Sequence, residues 1–200
     1  MGQQAPQEAA SLQMSLGEGK ALTTRRIVVA GVLSAIAILL GVTGLGYIPV
    51  PTAAGSATIM QVPAIVGGVI EGPIVGGIIG LIFGITSFLH GGVVWFKDPL
   101  VSILPRIFIG IVSYYAYVGM RRVRVPMVVN LAITGFLGSV TNTVLVLFMV
   151  FVRFHVGAGT LGTVALVNGT PEAIVSAIIT AVVVLAYYGV HRVGAKSKIS

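Results

Sequence analysis

Residues 98–112 read DPLVSILPRIFIGIV, an apolar run with a guanidinium set inside it at Arg106, directly after Pro105. An arginine near the centre of a bilayer costs about 2.5–3.5 kcal/mol on insertion scales. A proline inside a helix removes a backbone hydrogen bond. A chain that keeps both in one apolar run gains something from them. The stretch belongs to one of several apolar runs that reach the roughly 20 residues needed to cross a hydrocarbon core. Of the 200 residues, 56% are hydrophobic and 8% charged, against about 25% charged in soluble domains. The fold class is therefore an all-α integral membrane protein.

Outward from that stretch, the apolar pattern predicts six transmembrane helices. Residues 1–24 form a polar leader, expected to be disordered and cytoplasmic. Residues 25–192 form the membrane domain, and residues 193–200 a basic cytoplasmic tail. The first span follows Arg25-Arg26. The Gly/Pro-rich segment TGLGYIPVPTAAGSA is too long for a tight turn and leads to a second span beginning near Ala57. Glu71-Gly72-Pro73 reads as a turn, with Glu71 a solvated cap and Pro73 suited to start the third span. The fourth span runs from Pro99 to about Met120 and the fifth from Met127 to about Val152. After the loop RFHVGAGTLGTVALVNGT, Pro171 opens the sixth.

Charge sets orientation. The net charge is +7, but the basic residues flank apolar runs rather than lining a phosphate-binding groove, so no nucleic acid is expected as partner. Arg25, Arg26, Arg121, Arg122, Arg124, Arg192, Lys196 and Lys198 fall on one side of a six-span chain, with Lys97 and Arg153 opposite. The positive-inside bias puts both termini in the cytoplasm. Tyr47 and Trp95 read as interfacial anchors at the outer ends. The chain has no cysteine, which removes disulfide and thiolate chemistry.

The chemistry lies in polar residues at depth. Arg106 is seven residues past Pro99, about 10 Å below the outer surface. Asn142, eleven residues before Arg153, lies roughly 16 Å below it. Gln61 stands near the outer start of the second span, and Asn168 and Glu172 flank the outer start of the sixth. Each has a plainer reading. Asn168 or Glu172 can cap or favour a helix N-terminus, Asn142 can bond a neighbouring helix, and Arg106 can pair with Glu172 as a structural ion pair. Intramembrane ionisable groups are nevertheless functional by default. Pro105 also frees a carbonyl one turn back, at Val101.

Two small-residue faces complete the reading. Gly76, Gly80 and Gly84 form a smooth stripe suited to close packing between the second and third spans, with partner docking the lesser use. Ala30 with Ser34, and Gly31 with Ala35, give the first span a small face that serves bundle packing or a separate membrane subunit equally well. The phosphate-loop, H-E-x-x-H and G-x-S-x-G motifs are absent. His90, His155 and His191 are scattered. No enzyme, metal or cofactor is expected, and ATP-driven transport would need its ATPase on another chain. A stand-alone secondary transporter or channel and a membrane enzyme are the other classes, separated by whether uptake needs ATPase partners and whether the chain turns anything over.

The blocks SATIMQVPAIVGGVIEGPIVGGIIGLIFGITSF, DPLVSILPRIFIGIV, TNTVLVL and NGTPEAIVSAII, in this order, resemble the substrate-binding S component of energy-coupling-factor (ECF) vitamin transporters over about residues 25–192. Within that family the chain is most similar to pantothenate-type members and next to cobalamin-type ones. The resemblance implies a six-helix bundle in the bacterial cell membrane that captures a vitamin from outside. It further implies docking, through a small face on the first helix, onto a transmembrane coupling subunit carrying two ATPase subunits. That face maps here to Ala30 and Ser34 or to Gly31 and Ala35. Substrate contacts map to Arg106 for a carboxylate, with Asn142 and Asn168 for hydroxyl or amide groups and Glu172 and Gln61 beside them. Other vitamins, such as cobalamin or a thiamine precursor, are the alternatives.

Overall fold

The computed structural model describes residues 23–90 and 92–196, with side chains through residue 189. The leader through residue 22, residues 197–200 and the side chains of Arg192, Lys196 and Lys198 lie outside the described residues. The chain runs α1 (Thr24–Val42), β1 (Tyr47–Pro49), β2 (Ser56–Thr58), α2 (Val62–Glu71), α3 (Pro73–His90), a 3-10 turn (Val94–Lys97), α4 (Pro99–Ser102), α5 (Leu104–Arg122), α6 (Met127–Phe154), α7 (Ala158–Val164), a π turn (Ala165–Gly169) and α8 (Thr170–Lys196). The last helix thus extends into the expected tail. Five stretches among the described residues are long and apolar enough to cross a membrane: Thr24–Val42, Pro73–His90, Pro99–Arg122, Met127–Phe154 and Ala158–Gly189.

The second expected span is different. Ala57 lies in β2, which pairs antiparallel with β1 in the register Tyr47↔Thr58. Pro51 and Gly55, the latter at φ +74°, turn the chain between them. The helix starts only at Val62 and spans 10 residues, about 15 Å or half a hydrocarbon core. It is apolar all round, and a helix of that kind is buried on every side. Nine of its residues are buried. Gly72, at φ +103° and so in a region open to glycine, returns its N–H to the Gly68 carbonyl at 3.0 Å and lets Pro73 begin α3.

Glu71 is a correction. It is buried and pairs with Arg25 at 3.1 Å and Arg26 at 3.8 Å, so it ties the start of α1 to the α2–α3 turn instead of facing solvent. The loop expected after the fifth span is likewise mostly helical. His155 closes α6 in the left-handed region, its N–H on the Phe151 carbonyl at 3.0 Å, and α7 starts three residues later. Gly159 and Gly162 made this segment look like a loop. Each costs a helix only about 1 kcal/mol, which packing of the apolar residues between and after them overcomes.

The glycine stripe packs inside the bundle, chiefly on α5 rather than on α2 alone. A Cβ on Gly80 would overlap the Arg106 carbonyl oxygen, and one on Gly84 would meet the Ile103 Cα at 2.8 Å. Gly76 faces Gly68 of α2 and Gly110 of α5. The smooth face of α3 therefore seats the backbone on both sides of Arg106. Gly80→Val is expected to cost about 1–3 kcal/mol through overpacking and to lower the thermal midpoint and folded yield in detergent. Gly31→Ala, with open space around it, should lower neither, since alanine in a helix interior is favoured over glycine by about 1 kcal/mol.

Candidate functional site

The expected fourth span is two helices, and the break makes the site. Asp98 caps α4, its carboxylate accepting from the Leu100 N–H at 2.9 Å, and it pairs with Arg153 of α6 at 2.8 Å. Ser102 donates to the Phe96 carbonyl at 2.5 Å, which fastens the 3-10 turn to α4. Pro105 has no N–H to give Val101, so the helix stops at Ile103 and restarts at Leu104. The freed Val101 carbonyl accepts from Nη1 of Arg106 itself. The side chain that Pro105 appeared to strand is the one that satisfies the break.

Arg106 is 3% exposed. Its guanidinium carbon lies 5.6 Å from the Phe83 ring centre and 5.1 Å from that of Phe96, within the range where a cation is attracted to a ring. Its Nε has no hydrogen-bond partner. Among the described residues the ion pairs join Arg25 and Arg26 to Glu71 and Arg153 to Asp98. The alternative reading of Arg106, a structural ion pair with Glu172, is not met: the two do not come within 4 Å.

Arg106 faces a cavity of about 180 Å³ bounded by the β-hairpin, the end of α3, the 3-10 turn, α5, α6 and the π turn leading into α8. Asn142, Asn168 and Glu172 line it with Arg106. Asn142 is 4% exposed and its Oδ1 is unpartnered. Asn168 is not a cap: it sits in the π turn, its Oδ1 accepts from the Thr52 hydroxyl at 2.7 Å, and its Nδ2 donates to the Ser56 carbonyl at 2.9 Å. Glu172 Oε1 accepts from the Thr58 N–H at 2.5 Å. Both residues therefore hold the hairpin over the cavity.

Gln61 lies apart from the cavity lining. It is fully buried, and its Nε2 donates to Ser139 of α6 at 3.1 Å and Ser176 of α8 at 3.2 Å. It bridges the two helices one turn away from Asn142 and Glu172. Conversely, Tyr47 and Trp95, expected as anchors, and His90 line the cavity. The Tyr47 ring stacks on His90 with centroids 4.6 Å apart. Burial pushes the Tyr47 phenol up, against the opposing effects of the Arg106 charge and a Ser87 hydrogen bond. Tyr47 stands in a Gly/Pro-rich segment without a period-2 pattern, so the sequence offered no signal that placed it in the cavity.

The small face of α1 divides in two. Ser34 is buried and Ala30 packs against the core of Met60, Ile65 and Phe83. Gly31 and Ala35 are exposed, beside the exposed Val28, Val32 and Leu39. The inward pair is bundle packing, and the outward pair is the face available to a partner. Among the described residues no group of three His, Asp or Glu could hold a metal ion.

Comparison with known proteins places this geometry. The pantothenic acid transporter PanT of Lactococcus lactis subsp. cremoris is 26% identical over 155 residues, spanning 64% of this chain and 75% of that protein. The solved structure of ThiT from Listeria monocytogenes shares the fold with a TM-score of 0.61 at 16% identity, over 82% of this chain and 96% of that one. The family described as ECF transporter, substrate-specific component, matches residues 25–188, and the chain belongs to it.

Proposed function

We propose that this chain is the S component that captures pantothenate, or a near relative of it, for ATP-driven uptake, and that Arg106 binds the substrate carboxylate. One observation carries the reading: a buried guanidinium lines a cavity with its Nε unpartnered and, among the described residues, no carboxylate in ion-pair range. A permanent cation in a water-poor site pairs bidentately with a carboxylate. The likeness to PanT supports pantothenate. The buried guanidinium in the lining favours an anionic substrate, with cobalamin and a thiamine precursor as the alternatives. A stand-alone carrier would transport without ATPase partners; the family match favours the coupled reading. The chain itself binds and carries no reaction.

Truncating one partner of a buried charge pair costs about 2–5 kcal/mol. Arg106→Gln should therefore lose most of the preference for pantothenate over its alcohol analogue, which lacks the carboxylate. Arg106→Lys, keeping charge without the planar fork, should fall between. Titration of purified folded variants by calorimetry measures both. An unchanged acid-over-alcohol preference in folded Arg106→Gln removes the anion role.

The partners in this reading are a transmembrane coupling subunit and two ATPase subunits, with the coupling subunit meeting Gly31 and Ala35. Close helix approach needs small residues, so Gly31→Trp and Ala35→Trp should abolish co-purification with the coupling subunit while ligand binding by the solitary protein stays intact. Normal assembly of both variants would move the docking face elsewhere.

Both termini face the cytoplasm in this scheme and the cavity opens outward, as the distribution of Arg and Lys supports. In a chain without cysteine, Lys97→Cys should react with an impermeant thiol reagent in intact cells and Arg124→Cys only after lysis. The reverse labelling pattern inverts the orientation.

A further inference from the structure

We infer that Glu71 is a positioning residue for assembly: its buried carboxylate fixes the rotation of α1 and so presents Gly31 and Ala35 to the coupling subunit. The inference rests on the docking reading of that face and concerns residues that do not line the cavity.

The two small faces of α1, Ala30 with Ser34 and Gly31 with Ala35, are one residue apart and so about 100° apart around the helix. A turn of that size exchanges one for the other. Packing of the inner half of α1 resists it weakly. Ser34 is the first buried residue of the helix, while Ile27 and Val28 are exposed and Val29, Ala30 and Leu33 half-buried. Burying Ser34 also leaves its hydroxyl without a partner, so hydrogen bonding does not choose the inward pair.

Charge holds the inner end instead. Arg25 Nε lies 3.1 Å from one Glu71 oxygen and Arg26 Nε 3.8 Å from the other. Adjacent residues project about 100° apart, so two points on one carboxylate resist rotation where a single pair would act as a pivot. Arg25 also donates to the Tyr187 hydroxyl of α8, a third point on another helix. The anchor itself is rigid, because Glu71 ends the buried helix α2. Exposure is lopsided: the Glu71 side chain is 6% exposed, against 59% and 34% for its partners. Removing the acid leaves two arginines that water solvates, whereas removing both arginines strands a buried carboxylate. Glu71→Gln is accordingly the variant that releases α1 and keeps the bundle folded.

The test places spin labels at Val28→Cys on α1 and Val182→Cys on α8, both exposed, in a chain with no other cysteine. With Glu71 intact the label–label distance should be one narrow distribution, and with Glu71→Gln a broad or shifted one. In unlabelled protein, Glu71→Gln should weaken co-purification with the coupling subunit roughly 3- to 10-fold, since apparent affinity falls with the fraction of chains that present the binding face. Pantothenate titration should change by less than about twofold, as expected of distant sites. A role in general stability alone would lower folded yield, ligand binding and assembly together, and that result overturns the inference. Arg25→Gln should reproduce the effect, and Arg26→Gln, whose pair is longer, should show less of it. Should Glu71→Gln fold poorly, Arg25→Gln decides alone, because Arg26 still pairs the buried carboxylate there. An unchanged distance distribution overturns the inference, as does normal assembly with a broadened one. Gly31→Trp separates the two readings: if it still blocks assembly, the docking face stands and only the role of Glu71 falls. If it too assembles normally, both fall.

Discussion

The contact between Nη1 of Arg106 and the Val101 carbonyl is the one on which the site depends. Pro105 removes the N–H that would have satisfied that carbonyl, and a buried carbonyl without a donor is costly. Arg106 supplies the donor from the next residue. One side chain therefore satisfies the break in the backbone, is held in place by it, and still has an edge left over. The phenylalanines on either side, Phe83 and Phe96, stabilise the charge without neutralising it. Gly76, Gly80 and Gly84 of α3 let the broken segment lie flush against the bundle.

The break also explains the division of labour among the helices. The α3–α5 contact is backbone on backbone, with Gly76 against Gly110 and Gly80 against the Arg106 carbonyl. The contact between α6 and α8 combines a close glycine approach, Gly135 against the backbone of Ser176 and Ala177, with a polar bridge, Gln61 reaching from the start of α2 to Ser139 and Ser176. Glycine packing seats the cation, and glycine packing with hydrogen-bonded side chains sets the spacing of the helices that carry Asn142 and Glu172. The start of α2 follows directly from β2, so the same short segment ties the hairpin to this polar centre.

Much of this was legible in the sequence because burying charge in an apolar run has few explanations. Arg106, Asn142, Asn168 and Glu172 stand out against their neighbours, and all four line one cavity. Gln61 stood out by the same criterion but serves between helices, since polarity at depth does not reveal which way a side chain points. The spacing of Ala30, Ser34, Gly31 and Ala35 left two faces open for the same reason, and only packing against Met60 and Ile65 separates them. The hairpin and α7 were illegible as elements. Three-residue strands are marginal by themselves, and theirs is held by Asn168 and Glu172, more than a hundred residues away.

That distant support bears on why Glu172 and Arg106 remain apart. An ion pair between them would have been the obvious use for two buried opposite charges, and removing one member of such a pair is strongly destabilising. It would also have occupied the guanidinium donors that now have no partner. The Thr58 N–H takes Glu172 Oε1 instead, so the carboxylate holds the hairpin and the guanidinium stays available. The cation is offset in part by two aromatic rings, one carbonyl and the Glu172 carboxylate that lines the same cavity. In the proposed reading an entering carboxylate supplies the remaining compensation.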